Sequence, residues 1–467
     1  MAMKLFIQIM LLLLLSSIFK FVIMSIKHIT YFTAVVITLF SCAQKLSPPE
    51  PLEISNEIII PTKAIMIESA TSNIGPCEPT ICINPNNSQH IVAGAILDKI
   101  YVSRDGGLTW SIDRLSSSYG VYGDPVIRAN YKGDFFYSHL SNPSGQAYLS
   151  EDFLDRIVIQ KSEDGGVTWS DGSYTLPRSP KDQDKQWLTC DPRDNTMYIT
   201  WTEFDLYDSP DPDDHSRILF SRSEDDGDTW TDPIVLSQFE GDCIDSDNTT
   251  EGAVPDVGPE GQVYVAWAYN EKIYFDKSFD KGETWLDEDI LVANQPGGWD
   301  IKIPGLSRAN GMPITRVDRT NGPNKGAIYI NWSDQRNGTH DTDIWLTKST
   351  DQGKTWSVPN KVNNDAPGKQ QFLSWMDIDQ TTGYIHIVFY DRREHDNNAT
   401  DVYVATSKDG GKTFDNIKVN NESFIPTPEI FFGDYNDISS VNGQVRPIWT
   451  ELNGRTLSVW TAVLESR

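Results

Sequence analysis

Cysteine is scarce. The 467 residues hold five, and once Cys42 is set aside the remaining four (Cys77, Cys82, Cys190 and Cys243) show no zinc-site spacing. Basic side chains are also few, 39 against 66 acidic ones, for a net charge of −27. That balance excludes nucleic acid and anionic bilayer surfaces as partners of the folded part. The chain has only 7 His, none paired in a His-Glu-x-x-His zinc motif. Gly-rich phosphate loops and Ser-centred nucleophile elbows are missing too. Long apolar runs are confined to Leu5 to Phe19 and Ile29 to Phe40, each short for a membrane-spanning helix. What is present in quantity is aromatic: 11% of residues, with 14 Trp, the material of a packed core rather than a disordered chain.

The two apolar runs are separated by Lys20 and Lys27, and the second ends Leu39-Phe40-Ser41-Cys42. A small residue before a cysteine at such a place resembles the lipobox of bacterial lipoproteins. The resemblance implies a signal peptide over 1–41, an acylated Cys42, and export to the outer membrane or cell surface on a lipid anchor. Residues 42–53, with Pro48, Pro49 and Pro51, read as a tether. A spanning anchor over 5–23 is the competing reading. In an exported chain the four later cysteines permit two disulfides, with free buried thiols as the alternative.

Self-similarity carries the fold. Ser-x-Asp-x-Gly-x-Thr-Trp stands at Ser103–Trp110, Ser162–Trp169, Ser223–Trp230, Ser278–Trp285 and Ser349–Trp356, and Ser407–Phe414 repeats it with Phe last. Successive copies start 55 to 71 residues apart. Each lies between strand-like runs, so each should be a hairpin turn in which Asp collects turn amides and Gly takes the positive φ. The terminal aromatic should pack between neighbouring sheets.

Two further strands precede each copy, for example Thr80–Asn84 and His90–Ala95, or Ala253–Val257 and Val263–Ala268. A seventh unit from Asp434 to Val463 stops one strand short. Glu57–Ile67, with its Ile58-Ile59-Ile60 run, can supply that strand and cover the edge. The expected fold is all-β: a seven-bladed β-propeller over 54–467, closed by an N-terminal strand.

The repeats are those of the Asp box, or bacterial neuraminidase repeat, and the chain resembles the β-propellers of the sialidase superfamily. In that family the boxes lie on the face away from the active site. The starts of the innermost strands converge on one mouth, which here gathers Glu78, Asp124, Lys185, Glu251, Arg308, Asp377, Asp434 and Tyr435. Tyr122, Trp187, Trp299 and Trp375 are expected as aromatic rims. Sialidases hold the substrate carboxylate with three arginines, because guanidinium pairs bidentately with carboxylate. They attack with a Tyr whose proton a neighbouring Glu takes.

By strand position the resemblance implies Tyr435 as nucleophile, Glu251 as its base and Asp124 as acid. Arg308, Arg393 and Arg128 are its clamp, and Glu78, Trp375 and Asp434 further substrate contacts. The chain departs from the family where an early Arg-Ile-Pro is replaced by Pro76-Cys77-Glu78-Pro79. Three functions therefore stand: an exo-sialidase-type hydrolase of extracellular glycans, a non-catalytic glycan- or protein-binding propeller, and a polysaccharide lyase. Arg336 and Arg393, each two residues after a carboxylate, also read as loop braces. No cofactor is implied, although the acidic loops Asp205–Asp214 and Asp242–Glu251 have the hard oxygen ligands of a Ca²⁺ site. A monomer is expected.

Overall fold

The second strand of each repeat has no polar face. Val263–Tyr269 buries six of its seven residues, and Ile385–Asp391 buries all seven. A strand covered on both faces requires a sheet on either side. The structure, a computed structural model describing residues 60–61 and 64–465, supplies them as seven antiparallel sheets. Their inner strands touch in sequence order, and blade seven returns to blade one. The apolar runs, Cys42 and the tether lie outside the described residues.

The inner strands are Thr80–Asn84, Val126–Ala129, Asp182–Cys190, Glu251–Val257, Ile314–Val317, Gln371–Ile378 and Asp437–Val441, in blades one to seven. The outermost strands are short and largely exposed, such as Ser111–Arg114 and Ile234–Val235. Such short edges discourage pairing with other chains. Blade seven is completed by Ile65–Thr71, which pairs antiparallel with Thr456–Thr461. The closing strand thus falls later than Glu57–Ile67. Ile60–Pro61 instead makes a two-residue pairing with Leu464–Glu465, and Ile58-Ile59 lies outside the described residues.

The six repeated turns share one hydrogen-bond pattern. In the first, Ser103 Oγ donates to Asp105 Oδ1 (2.9 Å) and accepts from Gly107 N (2.8 Å). Asp105 also accepts from Thr109 N (2.9 Å) and Thr109 Oγ1 (2.6 Å). The last glycine of the motif has two reasons to be glycine. Gly282 and Gly353 lie at φ +81° and +78°, and a Cβ on either would stand 2.3 Å from the ring of Phe220 or Phe275 in the preceding blade. Trp285 and Trp356 pack edge-on against those same rings, with centroids 4.9 and 5.1 Å apart. The turn chemistry and the seam between blades are therefore one device. Cys77, Cys82, Cys190 and Cys243 are free thiols.

Candidate active site at the mouth of the ring

At the end of the ring away from the repeated turns, the inner strands begin with irregular backbone. Glu78, Asp124, Lys185 and Leu373 have φ of +52°, +46°, +52° and +50°, and Gly252 and Gly433 lie at +76° and +89°. Register breaks between Asp184 and Trp187, Glu251 and Val254, and Phe372 and Trp375 mark bulges in blades three, four and six. Left-handed non-glycine residues cost free energy that the surrounding fold must offset, and they gather at functional sites. Nothing local in the sequence signals them.

Asp434 is the hub. Buried, it accepts from Lys185 Nζ at 3.1 and 3.3 Å and pairs with Arg308 Nη2. Burial pushes its carboxyl up, but Arg308 and Lys185 outweigh burial and hold it well below the usual carboxylate range. Arg308 Nη1 also reaches Asp245 at 3.0 Å, and Lys185 Nζ stands 3.6 Å from Asp124. Asp245 in turn accepts from Trp299 Nε1 (2.6 Å) and Tyr207 Oη (3.3 Å). Asn310 Nδ2 donates to the Asp434 carbonyl at 3.0 Å.

The other carboxyls are driven the opposite way. Burial and the charge of Asp434 push Glu78 well up, and burial with Asp245 does the same to Glu251. Asp184, raised to about 7 by burial and by Asp124, is only half-buried, as is Asp124. The mouth thus combines one carboxyl pushed down with others pushed up, the separation that acid–base chemistry requires.

Tyr435 lies on the floor of the mouth. Its hydroxyl has no hydrogen-bond partner among the described residues. Burial, reinforced by Asp124, Glu78 and Asp434, raises it well above an ordinary phenol. Glu251 faces Asp245 instead of activating it, so the expected Tyr–Glu pair is not assembled. The expected clamp is not assembled either. Arg308 alone of the three arginines is at the mouth. Arg393 Nε donates to Asp391 (2.8 Å), Nη1 to Asn364 (2.7 Å) and Nη2 to Asn416 (2.9 Å), with the guanidinium 4.2 Å from the Tyr403 ring. It braces a loop of blade six, and Arg336 braces blade five in the same way through Asp334. Arg128 lies four residues past Asp124, within the strand Val126–Ala129, and lines the far end of the channel, where it meets Asp437 at 3.4 Å. Asp377 is at that far end too.

The expected aromatic rim is also rearranged. Trp187, Trp299 and Trp375 are no more than 2% exposed. Trp375 closes against Trp187 and offers a ligand no face. The exposed aromatic is one that the sequence did not single out. Tyr148 is 71% exposed on the loop after blade two's second strand, packed on Phe153, itself in contact with Tyr122. Among the described residues no group of three or more His, Cys, Asp or Glu is arranged to hold a metal ion. The acidic loops spend their carboxylates on hydrogen bonds, as Asp242 does with Ser246 and Thr249.

No protein-family model and no curated protein matches the chain. Among solved structures it is similar to a protein of unknown function from Dyadobacter fermentans (13% identity, 88% of this chain and 99% of that one, TM-score 0.49). It is likewise similar to the NanB sialidase of Streptococcus pneumoniae (10% identity, 81% and 83%, TM-score 0.47). A third similar structure is the alpha-L-arabinanase of Penicillium chrysogenum (13% identity, 87% and 98%, TM-score 0.47).

Proposed function

We propose that this propeller is a glycoside hydrolase of neutral glycans that works with a carboxyl pair, Asp184 as general acid and Asp124 as its partner. The observation that carries the reading is that both stand at the mouth, each only partly exposed, where burial and then Asp124 raise Asp184 to about 7 and Lys185 Nζ lies 3.6 Å from Asp124. A carboxyl pushed up to about 7 retains part of its protonated form near neutral pH and can protonate a leaving glycosidic oxygen, while a second carboxyl group can activate water or attack the sugar. Lys185, Arg308 and Asp434 are positioning residues that fix the pair from beneath. Tyr148 offers a face on which a sugar ring can stack.

An acidic sugar fits less well. The charges of Lys185 and Arg308 are already matched by Asp434, Asp245 and Asp124 before a substrate carboxylate arrives. A Tyr nucleophile fits less well too, because burial and three carboxylates oppose the phenolate of Tyr435. We propose in addition that the chain is exported and anchored through an acylated Cys42, which palmitate labelling lost in Cys42→Ala checks.

A panel of nitrophenyl glycosides tests the activity. Cleavage of at least one neutral glycoside, with rates falling about 10²–10⁴-fold in Asp184→Asn and Asp124→Asn, supports it. Cleavage of a sialoside that is lost in Tyr435→Phe overturns it in favour of the sialidase mechanism. Glycan binding with no turnover on any member of the panel overturns it in favour of a binding propeller.

A further inference from the structure

The channel has a second end. Beyond Trp375, on the side of the repeated turns, a cavity of about 430 Å³ is lined by Arg128, Arg316, Arg319, Asp256, Asp377 and other inner-strand and loop residues. That is within the range of volumes that hold small ligands. Its chemistry differs from that of the mouth.

The carboxylates here are already occupied. Asp437 accepts from Thr80 Oγ1 (3.0 Å), Ile81 N (3.1 Å) and Ile438 N (2.8 Å). Asp377 accepts from Ser440 N (2.6 Å) and Ser440 Oγ (2.9 Å). Asp256 takes Val317 N (2.7 Å) and Arg319 Nη1 (2.8 Å). The guanidiniums of Arg128 and Arg316 are not comparably satisfied. Arg128 Nη1 donates to the Ile127 carbonyl at 2.7 Å and reaches Asp437 at only 3.4 Å. Arg316 Nη1 donates to the Thr315 carbonyl at 2.8 Å, and its Nε stands 3.7 Å from Asp377, beyond a hydrogen bond.

Each guanidinium therefore keeps N–H groups without a hydrogen-bond partner among the described residues, although Arg316 is 92% buried, with 8% exposure. The two also repel one another: Arg128 is the leading charge acting to lower Arg316. Two neighbouring cations, Arg316 buried and Arg128 partly exposed, with N–H groups free around one cavity, offer hydrogen bonds to an anion between them, since carboxylate and phosphate oxygens match the guanidinium fork. Asn86, Gln380, Thr381 and Asn442 add amide and hydroxyl groups to the lining.

We propose that this cavity is a second ligand site, separate from the mouth, in which Arg128 and Arg316 bind a small oxyanion, either an organic carboxylate or a phosphate. Titration calorimetry on the whole chain at fixed ionic strength tests it, with glucuronate in one arm, inorganic phosphate in another and chloride as reference. The expected result is saturable binding of one of the two oxyanions over chloride, weakened at least tenfold in Arg316→Met and in Arg128→Met and unchanged in Asp184→Asn. The arm that binds names the source of the anion.

Should Arg316→Met fail to fold because Asp377 loses its partner, Arg316→Met combined with Asp377→Leu removes both charges and is expected to lose the binding as well. No binding of either oxyanion above chloride overturns the proposal. So does binding that survives both arginine substitutions.

Discussion

Trp187 of blade three and Trp375 of blade six meet across the axis of the ring, with ring centroids 4.3 Å apart. Tyr435 of blade seven closes edge-on against Trp187 at 5.3 Å. These aromatics divide the channel into the carboxyl-rich mouth and the arginine-lined cavity beyond.

Truncating this partition should be costly. Trp187→Ala removes a fully buried indole from the axis and is expected to destabilise the fold by about 3–5 kcal/mol, read as a lower urea midpoint with unchanged slope. Trp187→Phe should recover much of the loss.

Asp434 neutralises two cations, the buried Lys185 and the partly exposed Arg308. Asp434→Asn leaves Lys185 and Arg308 without their shared anion and should cost about 3–5 kcal/mol, measured by chemical denaturation at pH 7. Because its carboxyl is depressed in the folded protein, the stability it contributes is complete above the ordinary Asp range and is lost as the pH falls through it.

Glu251 gives the opposite slope. A carboxyl raised on folding makes the folded state the better proton binder, so stability declines as the pH rises above the ordinary Glu range. Glu251→Gln should flatten that decline, so that the difference in melting temperature between the variant and the parent grows in the variant's favour from pH 5 to pH 8.

Asp184 sets the activity profile. With its carboxyl raised to about 7, kcat/KM on a neutral glycoside should fall on the alkaline side of pH 7 with a slope of one proton. Asp184→Asn should abolish that limb together with the turnover.

The repeated turns can be weakened singly. Ser349 Oγ donates to Asp351 (2.8 Å) and accepts from Gly353 N (2.9 Å). Ser349→Ala should cost about 1–3 kcal/mol, seen as a lower melting temperature with the mouth's activity intact.

The sequence by itself determined the wheel. Turn chemistry and strand burial act within a dozen residues, so six copies of one motif and a seventh unit fix the blade count. Inner strands such as Thr80–Asn84 can be read directly from the pattern. Closure by an N-terminal strand follows from an unpaired edge, although its position, Ile65–Thr71, came from the register with Thr456–Thr461. The tertiary structure alone decided the site. Asp124, Arg308 and Asp434 were legible because they stand at strand starts. Asp184, Asp245 and Tyr148 were not, since bulges and loop packing deliver them. Arg393 went to a loop brace and Arg128 to the far cavity, because an inner strand carries successive side chains along the axis and a motif says nothing of depth. The pairing of Trp187 with Trp375 depends on two blades that share no local signal and meet only when the ring closes.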